Sequence, residues 1–262
     1  MPVLFIHRTL PDAEIYFVSN QHNERVVFNG EFRVSQEFSP ELWNPVTGEI
    51  RYLPDFKSKE GNISLPVELE GNESAFIVFR KNNKLTETKD NFPQKVTVCK
   101  INTPWRITFE AGKRGRETPV VWSQLKDWMN SENDSIKYFS GQAVYETTFT
   151  LEKLPQKNLY IDLGNVMVMA KVTLNGQYVG GVWTFPYRLN VTGYLKEGEN
   201  KLEITVVNNW QNRLIGDQRL PEDQRLTWTT INPWKADSSL QSSGLLGPVE
   251  IQAFDYKIVK PE

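Results

Sequence analysis

Between Tyr138 and Val207 the sequence reads YFSGQAVYETTFTL (138–151) and then NLYIDLGNVMVMAKVTLNGQYVGGVWTFPYRLNVTGYLKEGENKLEITVV (158–207). Apolar residues recur at every second position. Ala143, Tyr145, Phe149 and Leu151 fall on one side, with Glu146, Thr148 and Thr150 on the other. Leu159, Ile161 and Leu163 alternate with Tyr160 and Asp162, and Leu202, Ile204 and Val206 with Lys201, Glu203 and Thr205. A period of two predicts strands with one buried face. The breaks carry turn chemistry: Leu-Pro-Gln-Lys at 154–157, Asn175-Gly176, and Lys-Glu-Gly-Glu-Asn at 196–200. Asn-Gly between two strand runs is a strong short-range hairpin signal, so Val172 to Val182 is expected to form a hairpin in an antiparallel sandwich.

Working outward, residues 1–82 read as a small antiparallel β-sandwich. VLFIHR, AEIYFVSN, ERVVFNGEFRV, GEIRYLP, NISLPVEL and SAFIVFR are strand-like, and turn-rich residues separate them. The stretch KNNKLTETKDNFPQ (81–94) is polar and charged, which places a linker at 83–94 and a second domain at 95–262. Val121, Trp122, Leu125 and Trp128 have the spacing of one apolar stripe on a short helix. Residues 208–248 lack a sustained apolar alternation and read as one long loop. A loop of that length inside a compact domain usually serves function or an interface.

Composition narrows the classes. The chain has 262 residues, a formal net charge of -2, 39% hydrophobic and 24% charged residues. This suits a soluble globular protein without the basic footprint of a nucleic-acid binder. No apolar window reaches the roughly 20 residues of a membrane span. The single cysteine, Cys99, forbids an internal disulfide, and two histidines, His7 and His22, cannot build a His-rich metal centre. Strand pattern begins directly after Met1-Pro2 with no secretory signal, which gives the expectation of a fragment or a separated C-terminal piece. The Asn-x-Ser/Thr sequons at Asn62, Asn72, Asn133 and Asn190 carry no weight alone.

The order FSGQAVYETTF, YIDLGNV, VTLNGQYVGG, FPYRLNVTGYL, NKLEITVVN and the closing Ser243-Gly-Leu-Leu-Gly-Pro-Val249 resembles the sugar-binding, galactose-binding-like jelly roll of glycoside hydrolase family 2. NNWQNRLIGDQRLPEDQRLTWTT (208–230) is similar to the C-terminal sandwich of family 106 α-L-rhamnosidase-like enzymes. FIHRTLPDAEIYFVSN and ELWNPVTGEI resemble the segment that follows the catalytic barrel in those enzymes. The resemblance implies an all-β protein of two antiparallel sandwiches, the second a jelly roll. It implies the non-catalytic part of a polysaccharide-degrading glycoside hydrolase, with a catalytic barrel and carbohydrate as partners and no nucleic acid or membrane. A periplasmic or extracellular bacterial location also follows from the resemblance alone. The competing classes are a free-standing carbohydrate-binding module and an intact small glycosidase.

Glycosidases use paired carboxylates, and in these two families the pair sits on an α/β barrel of about 250 residues. The chain has neither the helices nor the length, so no catalytic residue is assigned. No metal-ligand spacing is present and no cofactor is expected. The structural Ca²⁺ common in such jelly rolls finds no ordered ligand set here. If carbohydrate binds, the expected site is the 208–248 loop, through Trp210, Asn212, Arg213, Asp217 and Trp228. Indole faces pack on pyranose C–H faces, and planar polar groups bond hydroxyls. The same residues also fit two other roles: Asp217, Glu222 and Asp223 with Arg213, Arg219 and Arg225 could be ion pairs that fix the loop, and Trp210, Trp228 and Trp234 could dock on a barrel. Trp183 and Tyr187, flanking Pro186, read as core, Trp43 as a packed anchor, and Cys99 as a buried, inert thiol.

Overall fold

The computed structural model describes residues 3–34, 37–81, 90–113 and 115–256. Two compact units emerge, residues 1–96 with 253–262, and residues 97–252.

Among the described residues the first unit holds β1 (Val3–Thr9), β2 (Ala13–Asn20), β3 (Val26–Arg33), β4 (Ser39–Trp43), β5 (Ile50–Tyr52), β6 (Lys57–Lys59), β7 (Asn62–Leu69) and β8 (Ser74–Arg80). They form a five-stranded sheet in the order β1-β2-β8-β4-β5 and a three-stranded sheet β3-β7-β6. Alternation determines which side chains are buried. In β7, Ile63, Leu65, Val67 and Leu69 are buried while Asn62, Ser64, Pro66 and Glu68 are half-exposed. They join Tyr16, Val18, Phe32, Ile77 and Phe79 in one core. Each such apolar side chain contributes about 1.5–3 kcal/mol on burial.

Residues 82–89 of the expected linker lie outside the described residues. Beyond them, Asn91 is buried and braces the first unit. Its side chain exchanges two 2.8 Å bonds with the Asp55 backbone, and its carbonyl accepts from Arg51 at 2.5 Å. The Arg51 guanidinium lies 4.7 Å from the Phe92 ring centre and 4.8 Å from that of Tyr256. Polar composition therefore concealed an anchored end at Asn91-Phe92.

The strands of the second unit, the first and last of which begin at Val96 and end at Phe254 just outside its bounds, are β9 (Val96–Lys100), β10 (Trp105–Phe109), β11 (Val120–Trp122), β12 (Gln142–Leu151), β13 (Asn158–Asp162), β14 (Asn165–Met167), β15 (Met169–Leu174), β16 (Gln177–Val182), β17 (Arg188–Asn190), β18 (Gly198–Val207), β19 (Gly244–Gly247) and β20 (Glu250–Phe254). Its sheets run β11-β10-β12-β18-β15-β16 and β17-β13-β20-β9, with a small β14-β19 pair. Tyr145, Val172, Ile204, Ile161 and Ile251 are among its fully buried residues. The expected hairpin is β15–β16, and its turn residues Asn175 and Gly176 take φ of 52° and 79°. Both values are left-handed, as a tight hairpin turn of the primed type requires. Buried Asn200 donates to the carbonyls of Lys196 and Gly198 and accepts from Asn175, pinning that turn.

The helix expected around Val121–Trp128 does not form. Residues 120–122 are β11, 128–130 are a 3-10 turn, and one short helix, α1, spans Asp134–Lys137. Strand pairing of Trp105 with Trp122 outcompetes a weak helical stripe. A helix that the reading missed, α2, spans Gln211–Asp217 inside the long loop.

Candidate functional site

At one end of the six-stranded sheet β18 runs out beside the starts of β12 and β15, where Val207 pairs with both Gln142 and Met169. The chain then enters α2. Leu214 and Ile215 are buried on its inner side, and Gly216 lies against Tyr138, where a Cβ would stand 2.7 Å from the ring. Only glycine allows α2 to approach so closely.

The loop after α2 returns along the helix. Asn212 donates to the Gln241 carbonyl at 2.6 Å and to the Ser243 hydroxyl at 3.2 Å, and it accepts from the Gln241 amide at 2.8 Å. Asp217 Oδ2 accepts from the Leu226 amide, the Thr227 amide and the Thr227 hydroxyl at 3.1, 2.8 and 2.6 Å. Its Oδ1 lies 3.7 Å from Arg213 in an i,i+4 pair. Arg219 donates to the Ala236 carbonyl, and its guanidinium rests over the Tyr138 ring. The far end of the loop is fixed by Asp127, which accepts from the amides of Met129 and Ser243. Fully buried Tyr145 accepts from Trp128 Nε1 at 2.6 Å and from the Leu245 amide at 3.2 Å. Burial pushes the Tyr145 phenol far above its ordinary range, and smaller upward shifts from burial apply to Tyr187 and Cys99.

This geometry divides the five candidate residues. Asn212, Arg213 and Asp217 are buried, and the bonds above tie Asn212 and Asp217 into the loop's own architecture. Of the six charges read as surface ion pairs, Arg213 and Asp217 lie together, and they are buried; Arg219 and Arg225 bond backbone carbonyls instead. Trp210 and Trp228 face outward, 64% and 84% exposed. Trp183, read as core, is 55% exposed. It directly follows Val182, which pairs with Ala170, so it projects beyond the sheet at the end where Met169 meets Val207. Trp183 is the first residue past β16, whose pairing with β15 ends at Val182. Met169, Phe185, Leu226 and Ile231 are also exposed. One end of this sandwich and its loop thus combine exposed indoles with a rigid polar support. Among the described residues no group of three or more His, Cys, Asp or Glu could hold a metal ion. No helix among them is long and apolar enough to cross a membrane.

Residues 1–58 match the family model described as alpha-L-rhamnosidase, and residues 122–240 match that of the glycosyl hydrolase 2 galactose-binding domain-like family. A curated protein of Formosa agariphila named "Putative beta-glucuronidase" is 44% identical over 164 residues, covering 53% of this chain and 14% of that protein. The solved rhamnosidase of Novosphingobium sp. PP1Y is 34% identical with a TM-score of 0.85, covering 95% of this chain and 24% of that one. The chain therefore spans well under a third of either relative. By sequence and fold it is related to the glycoside hydrolases, α-L-rhamnosidase-like at its start and galactose-binding-like in its second unit.

Proposed function

We propose that this chain is the non-catalytic C-terminal β-sandwich part of a glycoside hydrolase, and that Trp210, Trp228 and Trp183 contact its glycan. The observation that carries the reading is the exposure of these three indoles, two of which, Trp210 and Trp228, sit on a loop that Asn212 and Asp217 hold by hydrogen bonds. An exposed indole is an apolar face that solvent does not favour, and stacking on a pyranose gives it a use. Asn212, Arg213 and Asp217 then position the loop, and the tryptophans touch sugar.

The buried carboxylates support a non-catalytic role. Glu41 accepts from Arg80 at 3.0 and 2.8 Å and from Trp43 Nε1 at 2.8 Å. Asp217 is engaged as described, in the other unit. Each is committed to hydrogen bonds within its own unit, whereas glycoside hydrolysis needs a pair of carboxylates free to face the scissile bond. The test is incubation of the purified chain with aryl rhamnosides, galactosides and glucuronides. All should stay intact, and turnover abolished by one carboxylate substitution would overturn the proposal.

A further inference from the structure

Strand β16, at the edge of the six-stranded sheet, carries two consecutive glycines, and packing explains one of them. Gly180 pairs with buried Val172 and faces inward, where a Cβ would stand 3.0 Å from the Leu189 side chain. Gly181 pairs with Lys171 and faces the other way. Its φ lies outside the left-handed region. A Cβ there would meet the Ala170 carbonyl oxygen and the Tyr178 hydroxyl, both at 3.6 Å, which is ordinary contact. The strand's bulge does not call on it either: Val172 pairs with Gly180 and Thr173 with Tyr178, so the extra residue is Val179. Backbone and packing would thus both accept a side chain at 181. Glycine inside a strand costs stability, because it loses more chain entropy on folding and packs nothing. Where the fold gives no reason for it, the remaining use is the close approach of another molecule to the backbone.

The side chains around Gly181 indicate what approaches. Tyr178 is 63% exposed and leans back along the strand, so that its hydroxyl hangs beside Gly181. Trp183 follows buried Val182, two residues beyond Gly181. Two residues of strand span about 7 Å, close to the step from one pyranose ring to the next. On the neighbouring strand, Met169 and Lys171 are exposed and Ala170 between them is buried. Bare backbone is thus bordered by an indole, a phenol, a thioether and one ammonium group. A flat floor between aromatic faces, with few polar groups at its rim, suits the C–H face and the hydroxyls of a sugar ring. A protein strand added to β16 would pair with backbone groups in the plane of the sheet; Gly181 clears space on the face, so its occupant lies over the strand and not beside it.

We propose that Gly181 is the floor of a second pyranose subsite next to the one at Trp183, and that the ligand is an oligosaccharide laid along β16 with successive rings on Trp183 and Gly181. Tyr178 closes the far side of this subsite, and Lys171 donates to ring hydroxyls from β15. The inference deepens the glycan-contact reading and rests on it for Trp183; what it adds is a ligand of two or more linked sugars and three further contact residues.

Calorimetric titration of the 262-residue chain with rhamnose, galactose and tetrasaccharides that contain them tests this, with thermal unfolding of the same samples. Wild type should bind a tetrasaccharide at least about tenfold more tightly than the monosaccharide, or about 1.4 kcal/mol. Gly181→Val should abolish that gain while its melting temperature stays at or above that of wild type, since valine suits an exposed strand position. Tyr178→Ala should reduce the gain and leave monosaccharide binding unchanged. Equal affinity for mono- and tetrasaccharide, or a gain that survives both substitutions, would overturn the inference and leave the glycan-contact reading standing on its three tryptophans. A lower melting temperature for Gly181→Val would return the glycine to a structural role and overturn it as well. Failure of every sugar to bind wild type would overturn both.

Discussion

Replacing Tyr145 by Phe removes one buried oxygen and leaves two buried donors, Trp128 Nε1 and the Leu245 amide, without their acceptor. Each orphaned donor costs about 1–3 kcal/mol, and a net loss of about 2–4 kcal/mol is expected because the ring itself stays packed. Its edge-on neighbour Trp105, at 6.3 Å, loses nothing. Urea unfolding followed by tryptophan fluorescence reports the change. With a slope of about 2 kcal/mol per molar, the midpoint of the second unit should fall by about 1–2 M. Trp128→Phe removes one of the two donors in advance, so the double variant should lose less than the sum of the single losses, the mark of a direct interaction. A midpoint for Tyr145→Phe within about 0.2 M of wild type would refute the reasoning. The same variant should loosen the end of the 208–243 loop, because Tyr145 bonds Leu245 two residues beyond Ser243.

Gly216→Ala should destabilise the second unit by about 1–3 kcal/mol, since the new Cβ meets Tyr138 at 2.7 Å, and thermal unfolding would show it. Asp217→Ala should expose the loop after α2, leaving three donors and Arg213 without their carboxylate; amide exchange at Leu226 and Thr227 should rise while that of β18 stays slow. Stability should fall as pH rises past 10.0, the phenol's ordinary value: the unfolded state then releases the Tyr145 proton and the folded state retains it, so folding binds more protons and alkali opposes it. Tyrosinate absorbance that included Tyr145 before unfolding would contradict this. Trp228→Ala should change stability by less than about 0.5 kcal/mol, because the side chain packs against little.

The sandwich was legible because period-two alternation and Asn-Gly chemistry are local signals. Val172, Ile204 and Tyr145 lie where the alternation placed them, and Asn175-Gly176 turns the hairpin as expected. The site was legible in part. Asn212 and Asp217 carry donors and acceptors that suit sugar hydroxyls and backbone amides alike, and sequence does not reveal that Gln241 and Thr227 return to meet them. Helix α2 was hidden because its seven residues are flanked by polar sequence and its buried Leu214 and Ile215 form no repeated stripe. Trp183 was misread because it was grouped with Tyr187 around Pro186 as a structural segment, whereas β16 ends at Val182 and the indole lies beyond it.

The central claim, glycan contact by exposed indoles over a structural polar network, is tested most directly by one NMR titration. Indole N–H resonances are followed as rhamnose- or galactose-containing oligosaccharides are added to wild type, Trp210→Ala and Trp228→Ala. Affinity near ~1 mM, about -4 kcal/mol, is expected. Trp210, Trp228 and Trp183 should shift while buried Trp105 stays still, and each substitution should weaken binding about tenfold, or about 1.4 kcal/mol. Binding that survives both substitutions unchanged, or no response to any of these sugars, would contradict the account.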